Sequence, residues 1–195
     1  MPRVTQQHRD DRRQQILDAA RTCFLRDGFH GTSMQDLFAE AGLSSGAVYG
    51  YFASKDEVIV AIAEENLRDI VAMIHTVATT QPDQSIGATM AGIFESVRVR
   101  HAQEGLAGLA VLVWAEALRN DDLRAKLTAL LKQLRADLAK AVREHQRAGN
   151  ITSAVKADTI AGLLISTVPG YIVQLALIGP AAVSRLPAAA LALWP

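Results

Sequence analysis

The stretch TSMQDLFAEAGLSSGAVYGYFASK, Thr32 to Lys55, decides how the rest of the chain is read. It holds three helix starts. Thr32-Ser33-Met34-Gln35 fits a capping box, with Thr32 at the N-cap and Gln35 reaching back to its N–H. Leu37, Phe38 and Ala41 follow at helical spacing, and Gly42 ends the helix, because glycine takes the left-handed conformation at little cost. Leu43 packs under the turn, and Ser44 or Ser45 caps a second short helix carrying Val48, Tyr49 and Phe52. Ser54-Lys55-Asp56-Glu57 is a second capping box that opens a third helix. Two short helices joined by a tight turn containing glycine form the helix-turn-helix pattern, whose second helix lies in the DNA major groove.

Outside this stretch the chain reads as helix throughout. A first helix is expected over 11–26, stopping at Gly28, with Ile16, Ala20, Cys23 and Phe24 on its apolar stripe. The helix from Lys55 to about residue 79 carries Val58, Ile59, Ile62, Leu67, Ile70, Val71, Ile74 and Val77, and Gln81-Pro82-Asp83 breaks it. Further helices are expected over 85–103, over 106–119, from Asn120-Asp121 to Gly149-Asn150, over 157–178 and over 181–193. No strand alternation is visible, so the fold class is all-α. The division expected is 1–54 for a three-helix DNA-binding domain and 55–195 for a helical effector-binding and dimerisation domain.

Composition narrows the function. Half of the 195 residues are hydrophobic, enough for a substantial core. Net charge is zero, and residues 1–58 hold seven basic against eight acidic side chains, so DNA binding is carried by the motif and not by a basic field. Cys23 is the single cysteine, which excludes an intramolecular disulfide and suits a reducing compartment. The first fifteen residues are polar, with no apolar signal region, and the expected location is cytoplasmic. Residues 159–184 carry no charge and are long enough for a membrane span, but Ser166, Thr167, Pro169, Gly170 and Gln174 interrupt them. A buried core or interface helix is the reading taken, with no membrane partner.

Catalytic chemistry finds no support. Gly42-Leu43-Ser44-Ser45-Gly46 spells a nucleophile elbow, but that elbow needs a preceding strand, and here a helix precedes it. Asn150-Ile151-Thr152 matches a glycosylation acceptor without a secretory signal to use it. There is no phosphate-binding glycine loop. The five histidines share no metal-ligand spacing, so neither metal nor cofactor is expected.

The DNA-facing candidates each have a physical role and a plainer alternative. Thr32 and Ser33 offer hydroxyls and amides to a phosphate at a helix N-terminus, or serve only as caps. Gln35 pairs with an adenine edge or closes the capping box. Ser45, Gly46 and Ala47 open the recognition helix, where small residues allow close approach. Of Tyr49 and Tyr51, one donates to a phosphate while the other lies in the core, with Phe52. Lys55 opens the next helix, where its charge and the helix dipole favour a phosphate.

These residues resemble a known family. Gly31-Thr32-Ser33, then Ala39-x-x-Gly42-Leu43-Ser44, then Gly46-Ala47-Val48-Tyr49-Gly50-Tyr51-Phe52-x-Ser54-Lys55-Asp56-Glu57 is similar to the signature of the tetracycline-repressor (TetR/AcrR) family. Arg13-x-x-Ile16-Leu17-x-Ala19-Ala20-x-x-x-Phe24-x-x-x-Gly28-Phe29 extends the resemblance upstream. It implies a homodimeric, ligand-responsive transcriptional regulator, a repressor more than an activator. It places DNA contacts at Thr32, Gln35, Ser45, Gly46, Ala47, Tyr49, Tyr51 and Lys55. Gly50 departs from it, standing where many members carry a large side chain toward DNA. For the effector pocket, aromatic walls with few polar groups point to Phe94, His101, Trp114 and Tyr171, although each serves equally well as ordinary core. The alternative reading is a helical carrier or enzyme without operator binding. The charge-free helices 157–178 and 181–193 are the expected dimer face, with Leu164 and Leu175 on it.

Overall fold

The computed structural model describes residues 6–80 and 85–194, with side-chain surroundings for these except residues 67 and 69–80. Leu67, Ile70, Val71, Ile74 and Val77 as an apolar face, and the break at Gln81-Pro82-Asp83, therefore lie outside the described residues. The described chain is helical from end to end: α1 Gln6–Gly31, α2 Met34–Ala41, α3 Ser45–Tyr49, α4 Lys55–Thr80, α5 Ile86–Glu104, α6 Leu106–Ala117, α7 Asp121–Arg147, α8 Ala157–Leu177, α9 Pro180–Val183 and α10 Leu186–Leu193. The all-α expectation is borne out. The chain divides into two compact units, Met1–Glu65 and Asn66–Pro195, and the division falls within α4.

In the first unit, Ile16, Leu17, Ala20, Cys23 and Phe24 are all buried, as their helical spacing requires. Gly28, at φ 74°, breaks α1 where the sequence places its end, and a short helical turn follows to Gly31. That backbone conformation lets the Thr32 hydroxyl donate to the Gly28 carbonyl at 2.9 Å. Thr32 is thereby buried and is not the N-cap of α2. Ser33 is the cap: its hydroxyl accepts from the Asp36 amide at 3.2 Å, and the Asp36 carboxylate accepts from the Ser33 amide at 2.7 Å. The box is Ser33–Asp36 and not Thr32–Gln35, because a carboxylate is the stronger acceptor at a helix N-terminus. These bonds hold the Asp36 carboxyl below its ordinary range. Gly42, at φ 64°, ends α2 in the left-handed conformation, and the Ser44 hydroxyl caps α3 from 3.3 Å.

In the second unit, α8 packs against α5, α6, α7 and α9, and α10 lies on α5. Met90, Ile93, Phe94, Leu138, Leu164 and Tyr171 anchor its core. The last helix, expected as one, is two segments. Pro187 has no N–H for the Val183 carbonyl, so the helix restarts at Leu186 with proline in its first turn. Gly87 lets α10 close on α5, and its amide donates to the Trp194 carbonyl at 2.8 Å. Leu164 and Leu175 are fully enclosed, which corrects their expected place on a dimer face. By length and composition α8 is long and apolar enough to cross a membrane.

Candidate nucleic-acid interface and ligand cavity

The α2–turn–α3 segment presents a small-residue surface. Val48 and Leu37 are buried, while Ser45, Gly46, Ala47 and Gly50 are exposed along α3. This is the alternation a short helix needs to pack one face and leave the other free. Tyr49 is 51% exposed and braced edge-on by Phe38, with ring centroids 5.3 Å apart. Tyr51 is half-buried and Phe52 buried, so Tyr49 is the aromatic available to a phosphate. Gln35 is exposed on α2, free of the capping role that now falls to Asp36. Gly50 has φ −68°, a conformation any residue adopts, and a Cβ there would meet only ordinary contacts. Its lack of a side chain is therefore a property of the surface and not a demand of the backbone.

Other candidates are engaged within the unit. Thr32 is buried, and the Ser33 hydroxyl donates to Asp36 Oδ2 at 2.6 Å. Lys55 Nζ donates to the Phe29 carbonyl at 2.6 Å and the Thr32 carbonyl at 2.7 Å, and lies 4.5 Å from the Phe29 ring centre. The ammonium clasps the end of α1 to the start of α4. Arginines of this unit are likewise engaged: Arg13 and Arg21 each reach one oxygen of Glu65 at 2.6 Å, and Arg26 pairs with Asp27 and Glu40. Sequence reasoning missed the Glu65 fork. Its only signal was an acid on α4 at a helical repeat facing two arginines on α1.

The second unit holds an apolar cavity of about 220 Å³. Its walls come from α5, α6, α7 and α8: Met90, Ile93, Trp114, a row of α7 leucines, and Ile165, Val168, Pro169 and Ile172. Of the four aromatic candidates only Trp114 lines it. Phe94 and Tyr171 are buried and stack on each other, with centroids 4.5 Å apart and planes 7° from parallel. His101 Nδ1 accepts from the Ala107 amide at 3.2 Å and so caps the first turn of α6. The α7 leucines that line it are Leu127, Leu130, Leu131, Leu134 and Leu138, none of them among the residues the sequence singled out for the pocket.

The chain has counterparts among known proteins. Residues 16–62 match the model of bacterial regulatory proteins of the tetR family. The chain belongs to that family. It is 34% identical to the HTH-type regulator YfiR of Bacillus subtilis over 65% of this chain and 61% of that protein. It is 28% identical to the HTH-type transcriptional repressor Rv1474c of Mycobacterium tuberculosis, covering 90% of this chain and 88% of that one. The nicotine-responsive repressor HdnoR of Paenarthrobacter nicotinovorans is 34% identical over 54% of this chain and 55% of its own. Among solved structures, Salmonella enterica GusR aligns with TM-score 0.70 and 26% identity over 98% of both chains. The regulator is a helix-turn-helix DNA-binding protein of transcription control, not an enzyme.

Proposed function

We propose that this regulator is a cytoplasmic homodimeric repressor, released from its operator by a small hydrophobic or amphipathic ligand bound in the cavity of the second unit. The observation that carries the reading is the presence, in one chain, of an exposed small-residue recognition helix and a cavity lined by apolar side chains. DNA contacts are assigned to Gln35, Ser45, Gly46, Ala47 and Tyr49, with the free amides at the start of α2 serving a phosphate. α4 is continuous across the division between Glu65 and Asn66, so it is the element that carries coupling. Exposed apolar side chains on α8 and α10 supply the surface for a second copy.

The test is linkage. Coupling of this kind is typically about 1–3 kcal/mol, roughly a 5- to 150-fold change in affinity. Calorimetry of a cavity ligand with and without saturating operator DNA should show that loss. Equal affinities would leave the second unit with no role in release. A footprint on the operator must also appear, since a carrier would give none.

A further inference from the structure

We propose that the cavity selects a small, uncharged, largely apolar molecule carrying one hydrogen-bond donor, and that the backbone carbonyl of Ile165 receives that donor. This rests on the reading of the cavity as the effector site. Among the described residues, none of the twelve that line the cavity is ionisable or bears a hydroxyl or amide side chain, and the Trp114 indole is the one side-chain N–H among them. A charged ligand would find no counter-charge among these described walls, and unpaired charge in apolar surroundings is strongly disfavoured. Size follows from volume. An apolar cavity of about 150 Å³ holds a benzene ring, so about 220 Å³ takes one ring with a branched substituent.

The donor requirement comes from Pro169. α8 runs through this proline, which has no N–H, so the Ile165 carbonyl has no amide four residues ahead to accept from. Ile165 and Pro169 lie on one face of α8, and both line the cavity. The neighbouring hydroxyls are committed elsewhere: Ser166 donates to Gly162 and Thr167 to Leu164, each at 2.7 Å. The Ile165 carbonyl thus lacks its ordinary helical donor in a residue that lines an apolar wall, and a ligand O–H that reaches it would supply what the chain omits.

The experiment uses four isosteres titrated into the full-length protein by calorimetry at neutral pH: para-tert-butylphenol, para-tert-butylanisole, para-tert-butylbenzoate and para-tert-butylbenzylamine. The phenol should bind, the anisole about tenfold more weakly, and the two ions at least about 100-fold more weakly. Pro169→Ala returns an amide to Ile165, so it should erase the preference of phenol over anisole while keeping apolar affinity. Val168→Trp should fill the cavity and abolish all binding, with an unchanged circular-dichroism spectrum reporting the fold. Absence of phenol binding, or an ion that binds as tightly, overturns the proposal. A phenol preference that survives in Pro169→Ala overturns the role of Ile165. Operator release is read separately by fluorescence anisotropy of labelled DNA. A phenol that binds without loosening DNA leaves this inference standing and removes the effector reading.

Discussion

At the scale of single residues, two positions run against their local preference. The Tyr171 hydroxyl is buried with no hydrogen-bond partner among the described residues, while its ring stacks on Phe94. An unsatisfied buried hydroxyl costs about 1–3 kcal/mol. Tyr171→Phe should therefore raise unfolding stability by about 1 kcal/mol in urea titration; a loss would show that the hydroxyl has a partner in solution. Burial pushes the phenol above its ordinary value of 10.0. With the folded-state value raised, stability is full below the unfolded value and falls as pH rises past it. The substitution should flatten part of that alkaline decline. Gly87 is the second position. An added Cβ would press on the carbonyl oxygens of Ala190 and Trp194, where α10 closes on α5. Helix propensity alone favours alanine by about 1 kcal/mol, yet Gly87→Ala should cost about 1–3 kcal/mol through overpacking. A stabilised Gly87→Ala protein would mean that α10 does not dock there.

At the scale of elements, the first unit engages four of its cations within itself. Arg13, Arg21, Arg26 and Lys55 are each held by carboxylates or carbonyls of the same unit. With these four engaged, DNA affinity should draw on few phosphate contacts, and the slope of log affinity against log salt should be shallow, well short of about −10. Lys55→Ala should leave that slope unchanged while lowering stability by about 2 kcal/mol, the scale of a lost charge-assisted bond. A slope reduced by about one per protomer would put the ammonium on a phosphate instead. The sequence made the helices legible here, since Gly42, Ser44 and the buried Val48 declare the α2–α3 turn by residue type. It did not declare the cap of α2, because Thr32 and Ser33 head overlapping boxes. The choice depends on Gly28 turning its carbonyl toward the threonine hydroxyl. The cavity was less legible still. Aromatic composition pointed to Phe94 and Tyr171, but those rings satisfy each other, and the walls are leucines indistinguishable in sequence from core.

At the scale of the whole molecule, α8 and α10 leave an apolar surface that a lone chain would expose. Leu163 is 63% exposed, Leu177 76%, Ile178 71% and Leu193 69%. On α8, Leu163, Ser166, Gly170, Val173 and Leu177 recur at three- and four-residue spacing, so they share one face. Small residues at Ser166 and Gly170 let another helix approach closely between the leucines. Contiguous apolar surface of this kind is uncommon on monomers, and a two-fold pairing would bury the same patch on both copies. Neighbouring leucines separate the proposed interface from the fold. Leu164 is fully buried beside the exposed Leu163. Leu163→Glu should give a folded monomer by sedimentation, with the helical spectrum of the parent. It should also give much weaker operator binding, because two half-sites need two joined heads. Leu164→Glu should instead unfold the second unit, since it buries a charge without a partner. A parent protein that sediments as a monomer at micromolar concentration would refute the pairing. So would a Leu163→Glu protein that remains a dimer, which would move the interface to a different face.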